Sequence, residues 1–454
     1  MKDRLFGTDG IRGIANTPPM TAEAALKIGR AAGYLFRNAG RPNTFLIGKD
    51  TRQSGYMLEY ALTAGLCSMG VNVVLVGPLP TPGVSYIMRS LRADAAIMIS
   101  ASHNSYAYNG IKFFGPDGFK IADEVEDEIA RLYRDGHELD EFRPTGEHIG
   151  TARRVDDAVG RYIEYAKATF PKGMRLDGLK IVCDCANGSA YKVGPYTLNE
   201  LGADVVTIAC APNGRNINDS CGSVHPEEMR ATVIRERADL GIAFDGDGDR
   251  IVMADGDGRL LDGNALLALL AVDQLDREAL PNRAIATTIM ANGGLERAVK
   301  QHGGQIVWTK VGDRYVVEAM REKGLTLGGE ASGHLVMLEH NTTGDALITA
   351  LQVLATLRRC DQPLNVLASV YHALPEANVA VPLNGRPKPS EEQLDTVRKE
   401  AEVEINGSGR VVIRPSGTEP IIRVMVQHDT LRTAEALARQ LAQRIEDLAM
   451  VPSK

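Results

Sequence analysis

The stretch TFLIGKDTRQSGYMLEYALTAGLCSMGVNVVLVG, residues 44–77, sets the expected fold. It opens on an apolar, β-rich run, passes through a polar turn into a helical stretch, and returns through Gly70 to a second apolar run. That is the order and length of a strand–helix–strand crossover, in which a helix joins two parallel strands. The unit recurs as LKIVCDCANGSAYKVGPYTLNELGADVVTIAC (179–210) and as AIATTIMANGGLERAVKQHGGQIVWTKVG (284–312). Three copies predict three similar α/β domains with mixed, mostly parallel sheets, whose ligands gather in loops at the carboxyl ends of the strands.

The C-terminal segment has a different rhythm. NVAVPLN (378–384) and GRVVIRPSGTEPIIRVMVQH (409–428) alternate apolar and polar positions as antiparallel strands do, and helical stretches are expected over 391–404 and 431–449. A smaller C-terminal α+β domain follows. The implied domains are 1–152, 153–254, 255–370 and 371–454, with the stretch around 361–378 as the last linker.

Composition narrows the function. At 454 residues the chain is too long for one ordinary core, and 44% apolar with 24% charged residues is usual for a soluble globular protein. A net charge of −7 argues against nucleic acid as the main partner, since the whole-chain field repels anionic polymers, and it leaves room for a small phosphate in a local basic pocket. The six cysteines form no CxxC pair, which fits a reducing compartment. Cys183 and Cys185 share one face of a strand and are expected in the core rather than on a metal. MKDRLFGTDG at the start lacks an apolar signal core, and no run approaches the ~20 apolar residues of a membrane span. A cytoplasmic protein without a membrane partner is expected.

Chemistry concentrates in four loops. In ADLGIAFDGDGDRIVMADGDG (238–258), Asp245, Asp247 and Asp249 follow the apolar run Leu240–Phe244, separated by Gly246 and Gly248 and followed by Arg250. Alternate residues of extended chain face one way, and the glycines let the backbone curl so that three carboxylates converge. Carboxylates so close repel unless a cation sits among them, and oxygen-only ligands select a hard ion, above all Mg2+ where phosphate is handled. Counting from Asp245 puts Arg250 and Gly256 where an EF-hand needs Gly and Glu, so that reading fails; a plain Asp/Gly turn is the bland alternative.

In RVVIRPSGTEPIIRV (410–424), Arg414, Ser416, Gly417, Thr418 and Arg423 lie in and beside a turn between two strands. Two guanidiniums, two hydroxyls and open backbone N–H groups suit a phosphate dianion, against the alternative of a hairpin with solvated arginines. LTLGGEASGHLVM (325–337) sets Glu330, Ser332 and His334 at alternate positions of a Gly-rich turn, a mixture that holds sugar hydroxyls or simply carries a structural histidine. In IMISASHNSYAYNGIKFF (97–114), Ser102 beside His103 invites a hydrolase triad. No G-x-S-x-G elbow surrounds it, however, and acyl transfer has no use for an Asp cluster and a phosphate site. Near a hard cation, with Lys112 downstream, Ser102 reads instead as a phosphoryl acceptor and donor.

Taken together these segments resemble the α-D-phosphohexomutase superfamily over the whole chain. FGTDGIRG (6–13), SASHN (100–104), NGIKFF (109–114), DGDGDR (245–250), GEASGH (329–334) and RPSGTEP (414–420) stand in that family's order and spacing. KVGDRYV (310–316) and TTGDA (342–346) are similar to its bacterial branch that acts on glucosamine phosphates, where the mannose and glucose branches usually carry a VGH-type sequence in place of Val311–Asp313. The resemblance implies four domains around a central cleft and an enzyme interconverting glucosamine 6-phosphate and glucosamine 1-phosphate, on the route to UDP-N-acetylglucosamine and cell wall. It implies a phosphoserine at Ser102, whose phosphate oxygen joins Asp245, Asp247 and Asp249 on Mg2+. Arg12, His103, Lys112 and Arg250 would surround the transferring group, Glu330 and Ser332 would hold sugar hydroxyls, and His334 would move a proton. Arg414, Ser416, Gly417, Thr418 and Arg423 would grip the phosphate that is not reacting. Glucosamine 1,6-bisphosphate or glucose 1,6-bisphosphate would prime the enzyme, a sugar phosphate would be its small-molecule partner, and it would be a monomer or homodimer.

Three positions depart from the family pattern. Ser105 stands where proline is usual, Tyr108 where an acid is common, and Ala331 where Gln, Asn or Met is usual. Without the proline the serine loop is expected to be less restricted. Competing functions are a mutase of mannose or glucose phosphates, a Mg-dependent sugar phosphatase, and a non-catalytic sugar-phosphate binder.

Overall fold

The computed structural model describes residues 5–7, 9–37, 43–405, 407–416 and 419–450. The first of its four sheets contains β1 (Ile11–Ile14), β2 (Thr44–Lys49), β3 (Asn72–Pro78), β4 (Ala95–Ile99), β5 (Tyr108–Phe114) and β6 (Ala152–Arg154), in the spatial order β1-β5-β4-β2-β3-β6. β2 pairs in parallel with both β3 and β4, as the crossover over residues 44–77 requires, while β5 runs antiparallel to β4 and β1. The second sheet contains β7 (Lys180–Asp184), β8 (Asp204–Ile208), β9 (Leu240–Phe244), β10 (Ile251–Asp255) and β11 (Leu260–Leu261), ordered β11-β10-β9-β7-β8. The third contains β12 (Ala284–Thr288), β13 (Gln305–Thr309), β14 (Leu327–Gly329) and β15 (Leu335–Met337), ordered β13-β12-β14-β15. In both, the crossover strands pair in parallel and antiparallel strands extend one edge.

The fourth sheet is antiparallel throughout. β16 (Glu376–Pro382), β17 (Gly409–Pro415) and β18 (Ile421–His428) lie in the order β16-β18-β17, covered by helices Glu391–Ile405 and Leu431–Met450. The first and second sheets end at Arg154 and Leu261, a few residues past the 152 and 254 expected from sequence. The reason is that β6 and β11 are edge strands of three and two residues, too short to leave a periodic pattern. The stretch expected as a linker is not free chain: it forms a short helix, Leu364–Leu367, and Leu364, Ala368 and Tyr371 are buried against the core.

Polar side chains punctuate the helices. Thr21, Asp262, Asn292 and Asp345 each accept an N–H of the first turn that would otherwise lack a partner. Asp345 also accepts the Tyr162 hydroxyl, 2.8 Å from each carboxylate oxygen, and so joins the second domain to the third. One buried apolar cluster includes Leu46 and Met98 of the first sheet, Ile181 and Phe244 of the second, Leu327 of the third, and Leu351 of helix Ala346–Cys360. The C-terminal domain has its own cluster, including Val381, Leu394, Ile422 and Leu441. Packing alone therefore makes one body of three domains and a satellite of the fourth.

Helices Ala22–Leu35 and Ser54–Cys67 meet backbone to backbone. A Cβ on Gly65 would lie 2.3 Å from the carbonyl oxygen of Leu26, and one on Gly29 would lie 2.6 Å from that of Leu62. Helix propensity alone would make Gly65→Ala stabilising by about 1 kcal/mol. The overlap involves main chain on both sides and costs about 1–3 kcal/mol in overpacking. Gly65→Ala is accordingly expected to lower the thermal unfolding midpoint; a raised midpoint would show that the helices can separate freely.

Candidate active site

Loops at the carboxyl ends of parallel strands build the site. β4 stops at Ile99, and the chain turns so that Ser102, fully buried, takes φ of +50°, the left-handed region that a residue with a Cβ enters only where its surroundings hold it. From there its Oγ lies 2.6 Å from Asp245 Oδ2. Asp245 follows β9, and its other oxygen accepts the N–H groups of Asp249 (3.1 Å) and Arg250 (3.2 Å), which curls the loop. Asp247 Oδ2 accepts from Thr81 Oγ1 (2.7 Å), at the start of helix Thr81–Leu91, and from Lys112 Nζ (3.0 Å) on β5.

These contacts leave atoms over. Asp247 Oδ1 and Asp249 Oδ1 are buried without a hydrogen-bond partner, as are the Nε groups of Arg12 and Arg250. Asp249 Oδ1 and Arg250 Nε face each other only at 3.9 Å, beyond hydrogen-bond reach, and acceptors left over in this way call for a cation and guanidinium donors for an anion. The three aspartates offer oxygens within 4.8 Å of one another. An ion about 2.1 Å from each ligand sets its ligands at most about 4.2 Å apart, so a contraction of under about 1 Å completes an oxygen site that Mg2+ fits. Its chemistry would be neutralisation of charge on a phosphoryl group.

Charge distribution follows from burial. Removal from water, then the neighbouring Asp249 and Asp247, holds the Asp245 carboxyl well above its ordinary pKa. Burial opposes the charge of Lys112, but Asp247, Asp9 and Asp249 outweigh it and hold the ammonium above its usual range. For His103, burial and then the Arg250 and Arg12 guanidiniums push the pKa down to about 4, so the ring is neutral. Arg250 Nη1 donates to His103 Nδ1 at 2.9 Å, which occupies the lone pair that would otherwise face Ser102 Oγ at 3.5 Å. His103 is not placed as a base for that serine.

A cleft of about 320 Å³ opens beside this centre. Asp249 and Arg250 line it from the second domain, and Asp313, Glu330, Ser332 and His334 from the third. His334 Nε2 accepts the Gly344 N–H at 3.1 Å, which leaves the ring proton on Nδ1, 3.7 Å from Asp249 Oδ2. Burial opposes a second proton, but Asp249, Asp313 and Glu330 raise the His334 pKa above its ordinary value. Glu330 is itself pushed up by burial. Arg12 pairs with Asp9, and Lys120 bridges Asp9 and Asp313 at 2.6 Å each, tying the first domain to the third.

Sequence reasoning passed over Asp9, Thr81, Lys120 and Asp313 as site residues. Asp9 and Asp313 stood inside quoted motifs, and Asp9 had a signal, an acid three residues before Arg12. Lys120 had none, because its partner Asp313 is 193 positions away. The C-terminal set is not brought into the cleft: none of Arg414, Ser416 and Arg423 lines it. Arg414 and Arg423 face each other across β17 and β18, and Arg423 pairs with Glu419 at 2.9 Å instead of standing open. Gly417 and Thr418 lie outside the described residues.

Known proteins resemble this chain in sequence and fold. The chain matches four Phosphoglucomutase/phosphomannomutase models: alpha/beta/alpha domain I over residues 3–140, domain II over 160–258, domain III over 262–374 and the C-terminal domain over 376–444. A phosphoglucosamine mutase of Anaeromyxobacter dehalogenans is 51% identical over 97% of this chain and 98% of its own, and one of Geotalea uraniireducens is 50% identical over 98% of each. The chain belongs to the phosphoglucosamine mutase family. It is an enzyme, a mutase among the isomerases. A phosphoglucomutase/phosphomannomutase family protein of Burkholderia thailandensis superposes with a TM-score of 0.81 at 26% identity, covering 100% of this chain and 99% of its own. An N-acetylphosphoglucosamine mutase of Aspergillus fumigatus, solved with GlcNAc-6P and magnesium, shares the fold at a TM-score of 0.63 and 19% identity, covering 98% and 96%. Among the described residues no helix is long and apolar enough to cross a membrane.

In this phosphoglucosamine mutase family member, added Mg2+ is expected to raise the unfolding midpoint saturably, by about 2.7 kcal/mol of stability at one hundred times its dissociation constant. Asp247→Asn is expected to abolish most of that shift, and an equal shift would rule the aspartates out as ligands. Gly344 gives a separate check. A Cβ there would lie 2.5 Å from the His334 ring, so Gly344→Ala should cut turnover by displacing the imidazole while the Mg2+ shift persists.

Proposed function

We propose that the protein interconverts glucosamine 6-phosphate and glucosamine 1-phosphate through a phosphoryl group carried by Ser102. The observation that carries this reading is the buried Ser102 Oγ 2.6 Å from Asp245 Oδ2, in a loop of three aspartates beside a cleft with unpaired arginine donors. Phosphoryl transfer asks for in-line positioning and charge neutralisation more than for covalent chemistry. Asp245, Asp247 and Asp249, with an oxygen of the Ser102 phosphate, would hold Mg2+, which would neutralise charge on the transferring group.

Chain residues do the rest. Arg12 and Arg250 would offer their open Nε groups to phosphoryl oxygens, and Lys112 would hold Asp247 in place while adding positive charge. The C1 hydroxyl of glucosamine 6-phosphate attacks phosphorus, the bond to Ser102 Oγ breaks, and 1,6-bisphosphate forms. The sugar hydroxyl loses its proton to His334 Nε2, which must first release the Gly344 N–H, and Asp249, Asp313 and Glu330 stabilise the imidazolium that forms. Glu330 and Ser332 hold sugar hydroxyls. After the bisphosphate turns over in the cleft, its old 6-phosphate is returned to Ser102, leaving glucosamine 1-phosphate.

The non-reacting phosphate falls to Arg414, Ser416, Gly417, Thr418 and Arg423. Arg414 and Arg423 stand opposite each other in the hairpin, and a phosphate there would take Arg423 from Glu419. Their domain has a separate core and must close on the cleft to deliver that grip. Glucosamine 1,6-bisphosphate or glucose 1,6-bisphosphate primes Ser102. The setting is cytoplasmic synthesis of UDP-N-acetylglucosamine for cell wall, by a monomer or homodimer whose partner is a sugar phosphate rather than nucleic acid.

The test is a coupled assay with glucosamine, glucose and mannose 6-phosphates side by side, each primed by its matching bisphosphate, on the parent chain and on Ser102→Ala. Preference for the amino sugar and loss of at least about 1000-fold in Ser102→Ala are expected. Equal rates on all three sugars would move the assignment to a broader mutase. Free phosphate released in proportion to substrate consumed would make the protein a phosphatase.

A further inference from the structure

Ser102 is left-handed at φ +50° without being glycine, and no proline follows it at 105 to restrain the loop. Something else must hold the chain there. The largest fully buried side chain of the described protein, Arg52, lies directly behind the loop. Its Nη2 donates to the carbonyl oxygens of Ser102 (2.9 Å) and Asn104 (2.8 Å), and its Nη1 donates to those of Ser105 and of Tyr108 (3.0 Å). Asn218, from the second domain, repeats the grip: its Nδ2 donates to the same Ser102 and Asn104 carbonyls, at 2.9 Å each. A third fastening holds the other side of the serine. Ser102 N donates to Ser100 Oγ (2.9 Å), Ser100 Oγ donates to Asp50 Oδ2 (2.6 Å), and that oxygen also receives Arg52 Nε at 2.8 Å.

From this geometry we propose that Arg52 and Asn218 are positioning residues for the nucleophile. They act as a two-domain clamp on the carbonyls of Ser102 and Asn104, which fixes the backbone of residue 102 so that Oγ points at Asp245. The inference rests on the reading of Ser102 as phosphoryl carrier. Neither side chain touches the cleft, so neither contributes to sugar binding. Four carbonyls converging on one guanidinium is an arrangement that core packing does not require. The clamp also does in this chain what a proline at 105 would do, because it restrains the chain at the Ser105 carbonyl. The aspartate loop packs closely on the clamp: a Cβ on Gly246 would lie 2.6 Å from the Ser102 carbonyl oxygen and 2.8 Å from Asn218 Nδ2.

The full chain carrying Asn218→Ala, Asn218→Asp or Arg52→Lys tests the clamp by three readouts: phosphoryl uptake on Ser102 from glucose 1,6-bisphosphate, followed by intact mass; kcat and KM with glucosamine 6-phosphate; and the unfolding midpoint. Asn218→Ala is expected to slow both uptake and kcat by about 10–100-fold, the loss that a misplaced reacting group brings. KM should stay within about 2-fold of the parent, since no cleft contact is removed. Asn218→Asp, which faces two carbonyls with an acceptor, should be slower than Asn218→Ala. Arg52→Lys, which keeps the charge beside Asp50 and part of the donor set, should retain part of the parent rate; where it does not fold, the Asn218 pair decides. Uptake and kcat of Asn218→Ala within 2-fold of the parent would overturn the clamp, and so would a loss matched by the loss of folded protein. No uptake by the parent itself would overturn the reading of Ser102, and the role given to its clamp with it.

Discussion

Asp245, Asp247 and Asp249 lie within five residues of one another and are almost wholly buried, and the arrangement of the first three domains follows from that constraint. An ionised carboxylate taken out of water is destabilising by several kcal/mol unless cations and N–H groups replace its hydration. No single domain supplies enough of them. Asp245 receives amides from its own loop, but the ammonium beside Asp247 and Asp249 is Lys112 on β5 of the first sheet, and the histidine beside Asp249 is His334 of the third. Lys120 joins Asp9 to Asp313 in the same way. The three strand-end loops therefore satisfy each other's charge only when their domains are docked, and the geometry that stabilises the fold is also the geometry that assembles the candidate site.

The division between this body and the C-terminal domain has a functional logic. A phosphoryl transfer centre loses rate quickly when reacting groups drift, which favours a continuous packed core beneath it, and the apolar cluster shared by three domains provides one. An intermediate that must turn over needs a grip that can relax. Among the described residues the C-terminal domain is attached mainly through directional contacts: Gln427 Oε1 accepts Gly293 N–H at 2.8 Å, Arg410 Nη1 donates to the Ala291 carbonyl at 2.9 Å, the Arg410 guanidinium stacks 3.5 Å over Trp308, Asp429 pairs with Arg297, and Asn292 exchanges two hydrogen bonds with the Leu374 backbone. Polar and stacking contacts of this kind can be broken and remade without opening an apolar core, which is what a hinge between rigid bodies requires.

Local patterns were legible in the sequence, and contacts between distant segments were not. The βαβ repeats announced three parallel-centred sheets because strand, helix and turn each leave a periodic trace. The DGDGDR and SASHN loops could be singled out as candidates because their side chains lie within a few residues of one another, and the structure brings Ser102 to Asp245. The Arg414–Arg423 pairing was implicit in a short hairpin. Arg52 left no trace, since its carbonyl partners lie 50 to 56 positions away and backbone oxygens have no residue type to read. Asn218 was invisible for the same reason, and Lys120 because its carboxylate partners Asp9 and Asp313 lie 111 and 193 positions away. The stretch after residue 361 misled for another: Leu364 and Tyr371 are too few and too irregularly spaced to form a pattern, yet both are buried.

The missing proline shows how the two kinds of information combine. Sequence comparison at position 105 predicts a less restricted loop, because proline narrows the unfolded ensemble and fixes φ. The structure places the restraint in the folded state instead, through buried donors that hold four carbonyls of residues 102–108. Tyr106 and Tyr108 are then free to face outward, 48% and 40% exposed, because the strength of the loop lies in its main chain. The two devices differ in what they couple. Proline restrains one residue whatever its surroundings, whereas Asn218 belongs to the second domain, so the conformation of Ser102 depends on the same docking that brings it to Asp245. A serine held in this way meets Asp245 only when the aspartate loop is in place.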